Sequence, residues 1–334
     1  MKSLVKNVLL ASLFFSITVA FGINPAIGDT VVINEIQLDF ELINSSSPDP
    51  NAYPILLLHG GLTDSDSWKA KGSDVDMRTL LSDEGFNVIT LDSRGHGRSR
   101  GELGPITYEL MADDVAAFIN YLIDDNIISD DKVNILGWSD GGVITLNMCK
   151  TYAGLVNAAL IIGTNISPEG FSEEPLLTGN DLLDRMLNGL GFADLMEMPN
   201  LYNLYADLGM GPDWIATKKE VDPGHSNMYW SKSFKTFRST IYDMWKTPCY
   251  LPKEPDETCM ETLQKIETPI FVIAGENDGT ISFAHTFELF ANLQVGSPRT
   301  QAYIFPGLGH AVPWEAPYEL ATFATDWFGV DNPK

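Results

Sequence analysis

Leu136-Gly137-Trp138-Ser139-Asp140-Gly141-Gly142 decides how the rest of the chain is read. It follows Val133-Asn134-Ile135-Leu136, an apolar run with the character of a short buried strand. It precedes Val143-Ile144-Thr145-Leu146-Asn147-Met148, which reads as a helix. Gly-x-Ser-x-Gly between a strand and a helix is a nucleophile elbow, a turn so tight that the serine is strained and its Oγ stands exposed at the helix N-terminus. Glycine is required at 137 and 141 because a Cβ at either place would collide with the neighbouring strand or helix. The bare pattern is common; its placement between strand and helix gives it force.

Outward from the elbow the chain alternates between strands and helices. Upstream, Val31 to Ile36 and Leu38 to Ile43 are apolar runs, and alternation from Ile36 to Leu42 marks a strand with one solvated face. Tyr53 to Leu58 is continuously apolar, as in a strand buried on both faces, and ends in His59-Gly60-Gly61. A short helix over Met77 to Glu84 leads to a strand over Phe86 to Leu91. That strand ends in Asp92-Ser93-Arg94-Gly95-His96-Gly97-Arg98-Ser99. Tyr108 to Asp124 is amphipathic, with apolar positions at 108, 111, 115, 118, 119 and 122. Ala158 to Ile162 is another strand. From Asn165 to about Ile266 the periods turn helical and the residues Met-, Leu-, Trp- and Tyr-rich. The strand rhythm resumes at Pro269 to Ala274 and at Gln301 to Phe305. The expected fold is therefore α/β, a mostly parallel sheet with helices on both faces and an insertion between two of its strands.

A serine hydroxyl needs a base to take its proton, and the base needs a carboxylate to hold it in one tautomer. In this architecture the partners follow in the order serine, acid, histidine, on loops after later strands. Of five histidines, His59 and His96 sit in Gly-rich turns and read as structural, and His225 and His285 have no motif around them. His310 follows a strand and the turn Pro306-Gly307-Leu308-Gly309 and is the candidate base. The acid is expected in Gly275-Glu276-Asn277-Asp278-Gly279, with Asp278 the choice and Glu276 the competitor. A tetrahedral intermediate needs two preorganised backbone N–H groups. Asp140 and Gly61 are the candidates, through their backbones alone, and the Asp140 side chain is accounted for by the helix dipole.

The loops at 59–61, 92–99, 137–142, 275–278 and 309–310, in that order, resemble those of the α/β-hydrolase superfamily. The elbow Gly137-Trp138-Ser139-Asp140-Gly141-Gly142 looks most like valacyclovir-hydrolase-type and other small-ester hydrolases. The resemblance implies an eight-stranded, mostly parallel sheet with a helical lid after the sixth strand. The core would then be residues 30–164 and 266–334 and the lid 165–265. It also implies a serine hydrolase cleaving a small carboxylic ester, or a related thioester, lactone or activated amide, through an acyl-enzyme, with no cofactor and no metal. Dehalogenases and epoxide hydrolases of this fold carry an aspartate where Ser139 stands. Proline iminopeptidases usually have His-Gly-Gly-Pro-Gly, against His59-Gly60-Gly61-Leu62-Thr63 here. Carbon–carbon bond hydrolases and aminopeptidases of the fold stay as alternatives, as does a receptor with a vestigial triad. Trp214, Tyr229, Trp230, Phe234, Phe237, Tyr242 and Trp245 either line a pocket or pack the lid down.

Composition bounds the partners. With 334 residues and a net charge of −24, the surface repels nucleic acid and anionic membranes and modestly favours neutral or cationic substrates, unless the acidic residues serve only to keep an exported protein soluble. With the resemblance, the expected partner is a small neutral or cationic ester-like substrate. Lys2 and Lys6 precede an apolar stretch from Val8 to Phe21, and Thr18-Val19-Ala20 and Ala20-Phe21-Gly22 both offer small residues at cleavage positions, as in a signal peptide over 1–22. The protein is expected to be secreted or periplasmic without a stable membrane anchor; a retained anchor is the alternative. Cys249 and Cys259 flank a short Pro-rich acidic loop and are expected to pair in the exported protein, the alternative being two thiols. Cys149 reads as a core residue.

Overall fold

The sheet grows outward from two short apolar strands, β3 (Ile55–Leu58) and β5 (Val133–Trp138), every residue of which is buried. The computed structural model describes residues 27–70, 73–101, 106–172 and 240–332. The expected signal segment, residues 173–239 of the insertion, His225, and the aromatics Trp214, Tyr229, Trp230, Phe234 and Phe237 lie outside the described residues. The other strands are β1 (Ile27–Ile33), β2 (Ile36–Ile43), β4 (Val88–Leu91), β6 (Val156–Ile162), β7 (Ile270–Gly275) and β8 (Gln301–Phe305). They form one eight-stranded sheet in the order β1-β2-β4-β3-β5-β6-β7-β8. The β1–β2 and β2–β4 pairings are antiparallel. All others are parallel, so the sheet is mixed but mostly parallel, as expected.

Parallel strands need crossovers, and these place helices on both faces. On one face, α2 (Tyr108–Asp124), α3 (Asp140–Thr151) and α5 (Phe283–Gly296) pack against Leu56, Leu58, Ile135 and Val272. On the other, α1 (Met77–Asp83), α6 (Val312–Glu315) and α7 (Pro317–Thr325) cover Ile55, Leu57, Leu136 and Ile273. The apolar positions expected on α2 are all buried, and Thr107 starts that helix by accepting from the Leu110 N–H. Alternating residues of one strand thus feed two cores, which is why β3 and β5 have no polar face.

The insertion leaves the sheet after β6 and returns before β7. Its first residues run along the start of α5, where Phe171 bridges Ile281 and the Ser172 N–H donates to the Thr280 carbonyl. Its returning arm is helical over 240–245 and continues to α4 (Cys259–Leu263). Cys249 and Cys259 face each other with Cα atoms 5.4 Å apart, within reach of a disulfide, and Cys149 is buried on α3. Among the described residues no helix is long and apolar enough to cross a membrane.

Candidate active site

Because β3 to β8 run parallel, the loops after them emerge at one edge of the sheet. That topology brings together residues spread from His59 to His310.

Ser139 stands between β5 and α3 with φ 54° and ψ −119°, partly exposed, while its flanks Trp138 and Asp140 are buried. A non-glycine residue held there is strained, and the surroundings hold it. The Ser139 N–H donates to the Ile162 carbonyl on β6, and its carbonyl accepts from Gly142 and Val143. The glycine requirement is met as expected. A Cβ on Gly137 would lie 2.4 Å from the Gly141 carbonyl oxygen, and one on Gly141 would lie 2.0 Å from that of Leu58.

His310 Nδ1 is 2.8 Å from Asp278 Oδ2. The other oxygen, Oδ1, accepts the N–H groups of Thr280 and Ile281 at 2.8 and 2.9 Å. The carboxylate is therefore clamped by its own turn and aimed at the imidazole. Nδ1 carries the proton in that bond, which leaves the Nε2 lone pair free. Burial pushes the His310 pKa down, but the charge and hydrogen bond of Asp278, with Asp140 and Glu315 nearby, more than offset it and raise it above 6.5. The competing Glu276 is exposed and caps the next turn, accepting the Gly307 N–H at 2.9 Å.

Two contacts place this pair against the elbow and the end of β6. The Trp138 indole N–H donates to the His310 carbonyl at 3.0 Å. Gly163, directly after β6, lies so close that a Cβ there would be 2.9 Å from His310 Nδ1. Neither Trp138 nor Gly163 is singled out by the sequence, although an indole next to the elbow serine was a visible signal.

The other described histidines have structural roles. His59 Nε2 accepts the Ser93 N–H at 3.0 Å and Nδ1 donates to the Gly60 carbonyl at 2.8 Å, so both nitrogens serve the backbone. His285 Nε2 accepts the Ile166 N–H at 3.2 Å, and burial lowers its pKa to about 4. Burial, with His59 nearby, lowers that of His96 to about 3.

Gly61 and Asp140 face one another. A Cβ on Gly61 would lie 2.3 Å from Asp140 Oδ2 and 2.8 Å from Trp245 Cζ2. Among the described residues no group accepts a hydrogen bond from the backbone N–H of either. The Asp140 side chain needs a fuller account than the helix dipole. It is buried, accepts from Tyr108 Oη at 2.8 Å, and accepts from Trp245 Nε1 at 2.9 Å. Burial raises its pKa to about 6, against the lowering effect of those two donors. Its partner Trp245 is on the insertion, which sequence patterning could not bring next to residue 140. Among the described residues no group of three or more His, Cys, Asp or Glu could hold a metal ion.

Comparison with known proteins bears on the family and the fold. A bifunctional esterase/perhydrolase of Acinetobacter calcoaceticus is 27% identical over 277 residues, covering 79% of this chain and 87% of that protein. A non-heme haloperoxidase of Rhodococcus erythropolis is 26% identical over 269 residues, covering 78% and 86%. The structure of a thermophilic esterase from Thermogutta terrifontis matches with a TM-score of 0.57 at 22% identity, over 90% of this chain and 98% of that one, a likeness of fold. None of these bears on the finer likeness to valacyclovir-hydrolase-type enzymes. The model of the alpha/beta hydrolase fold family matches residues 53–317, and the chain belongs to that family.

Proposed function

We propose that the protein is a serine hydrolase that cleaves a small carboxylic ester, or a related thioester, lactone or activated amide, through an acyl-enzyme. One observation carries this: a partly exposed serine at φ 54° opens α3, and the preceding Trp138 indole donates to the carbonyl of His310, whose Nδ1 is bonded to a buried carboxylate. The esterase and esterase/perhydrolase names among similar proteins support it. His310 Nε2 takes the Ser139 proton as Oγ attacks the acyl carbon. The N–H groups of Gly61 and Asp140 bind the oxyanion, and the imidazolium then protonates the departing alcohol. Water, activated by the same nitrogen, releases the acid.

The fluorophosphonate adduct, mapped by mass spectrometry, should fall on Ser139 and vanish in Ser139→Ala. That variant should lose roughly 10⁴- to 10⁶-fold in kcat. Labelling elsewhere, or in the variant, refutes the assignment. A screen of p-nitrophenyl esters of rising chain length, with lactones and aminoacyl esters alongside, identifies the substrate class. Turnover of none, with tight binding of one ligand, would favour a receptor.

The export of the chain and the roofing of the site by residues 165–265 belong to the same proposal. The N-terminal composition and the cysteine pair support the first. The position of Trp245 against Asp140 and Gly61 supports the second.

A further inference from the structure

The Gly60–Gly61 peptide is gripped from its carbonyl side. Gly60 O accepts from Thr63 Oγ1 at 2.7 Å, from His59 Nδ1 at 2.8 Å and from the Thr63 N–H at 3.3 Å. The Ser93 N–H on Nε2 settles the tautomer, so Nδ1 is the donor. The described chain contains no cis peptide bond. In a trans peptide the N–H points opposite to the C=O, so whatever holds the Gly60 oxygen also aims the Gly61 N–H. Gly60 itself abuts the nucleophile, since a Cβ on it would lie 3.3 Å from Ser139 Cβ.

The turn that carries this peptide is under tension. The Thr63 N–H to Gly60 O bond closes a four-residue turn, and Leu62, its third residue, has φ 59°. Glycine or asparagine is usual there, because a leucine Cβ is crowded in left-handed backbone. The strain persists only if other bonds hold the turn. The Thr63 hydroxyl is one such bond, and Thr63 is buried.

We infer that Thr63 is a positioning residue of the oxyanion hole: its hydroxyl, together with His59, holds the Gly60 carbonyl and thereby aims the Gly61 N–H at the developing oxyanion. The inference rests on the hydrolase reading of the site. Thr63 touches no reacting atom. Its effect belongs to the transition state, where charge appears on the oxygen, and little of it is felt by bound substrate.

The test compares Thr63→Val, which keeps shape and loses the hydroxyl, with Thr63→Ser, which keeps the hydroxyl. Each is measured on the best p-nitrophenyl ester and on inhibition by a boronic acid that forms a tetrahedral adduct. Losing a hole donor outright costs ~10²–10³ in kcat, and misaiming one should cost about 10- to 100-fold. We expect that loss in Thr63→Val, with KM changed less than about threefold and the boronate Ki raised in parallel with the loss. Thr63→Ser should recover to within about threefold of the parent. Where the valine variant does not fold, Thr63→Ala carries the same comparison. An unchanged kcat without the hydroxyl, an equal loss in Thr63→Ser, or a loss carried by KM alone overturns the inference while leaving the hydrolase intact. A parent chain that neither turns over esters nor takes fluorophosphonate overturns both.

Discussion

Orientation within the candidate site starts from backbone groups. Asp278 is oriented by the N–H groups of Thr280 and Ile281 and passes that orientation to His310. A base works only when deprotonated, and the carboxylate raises the imidazole pKa above 6.5. Activity should therefore rise with pH along a limb whose midpoint lies above 6.5. Asp278→Asn removes the largest stabiliser of the imidazolium, so its limb should move to lower pH while the plateau falls. The plateau should fall less than in Ser139→Ala, because a misoriented imidazole still acts. Glu276→Gln should keep both midpoint and plateau, since Glu276 only caps the Gly307 turn. A pH–kcat/KM profile of the three proteins decides it; a limb shifted by Glu276→Gln and not by Asp278→Asn would make Glu276 the acid.

At the scale of elements, what was legible in the sequence followed from period and punctuation. The stripe on α2 and the buried runs of β3, β5 and β7 could be read because burial on a periodic element imposes a periodic composition. That Ser139, Asp278 and His310 come to one edge of the sheet could be read because parallel strands deliver the loops that follow them to the same edge. Contacts between elements distant in sequence were not legible. Trp245 on Asp140, and the Asn147 side chain donating to the Tyr250 carbonyl at 3.0 Å, depend on how the returning arm lies across α3. No local pattern encodes that. The arm is fastened further by the Tyr250 N–H on the Ile166 carbonyl, and a Cys249–Cys259 bridge would add to that. In the chain-entropy account a loop closed over a separation of 10 residues is worth roughly 2–3 kcal/mol at best. Alkylation of the unreduced, unfolded protein should thus modify Cys149 alone, and Cys249→Ser with Cys259→Ser should lower the melting temperature. Three alkylated cysteines would rule out the bridge.

On the scale of the whole molecule, two features compete to choose the substrate: the charge of −24 and the walls around the site. The charge acts at a distance. It raises the encounter rate of cations and falls away over a Debye length of ~8 Å at physiological ionic strength. The walls act by contact, and salt does not screen them. Of the aromatics expected on the insertion, Tyr242 and Trp245 are described, both buried, with ring centroids 5.6 Å apart and Trp245 against Gly61. Contact selection should therefore govern the choice between two neutral esters, while charge governs only how fast a cationic one arrives. The ratio of kcat/KM for a favoured over a disfavoured neutral ester should hold steady between low and high salt. Tyr242→Ala or Trp245→Ala should shift that ratio by about tenfold or more, the scale of a lost apolar contact of ~1–3 kcal/mol. Trp245→Phe separates two parts of that effect, since it keeps an aromatic ring, though a smaller one, and loses the bond to Asp140. If salt erases the preference and the aromatic substitutions leave it intact, the surface charge selects the substrate and the insertion does not.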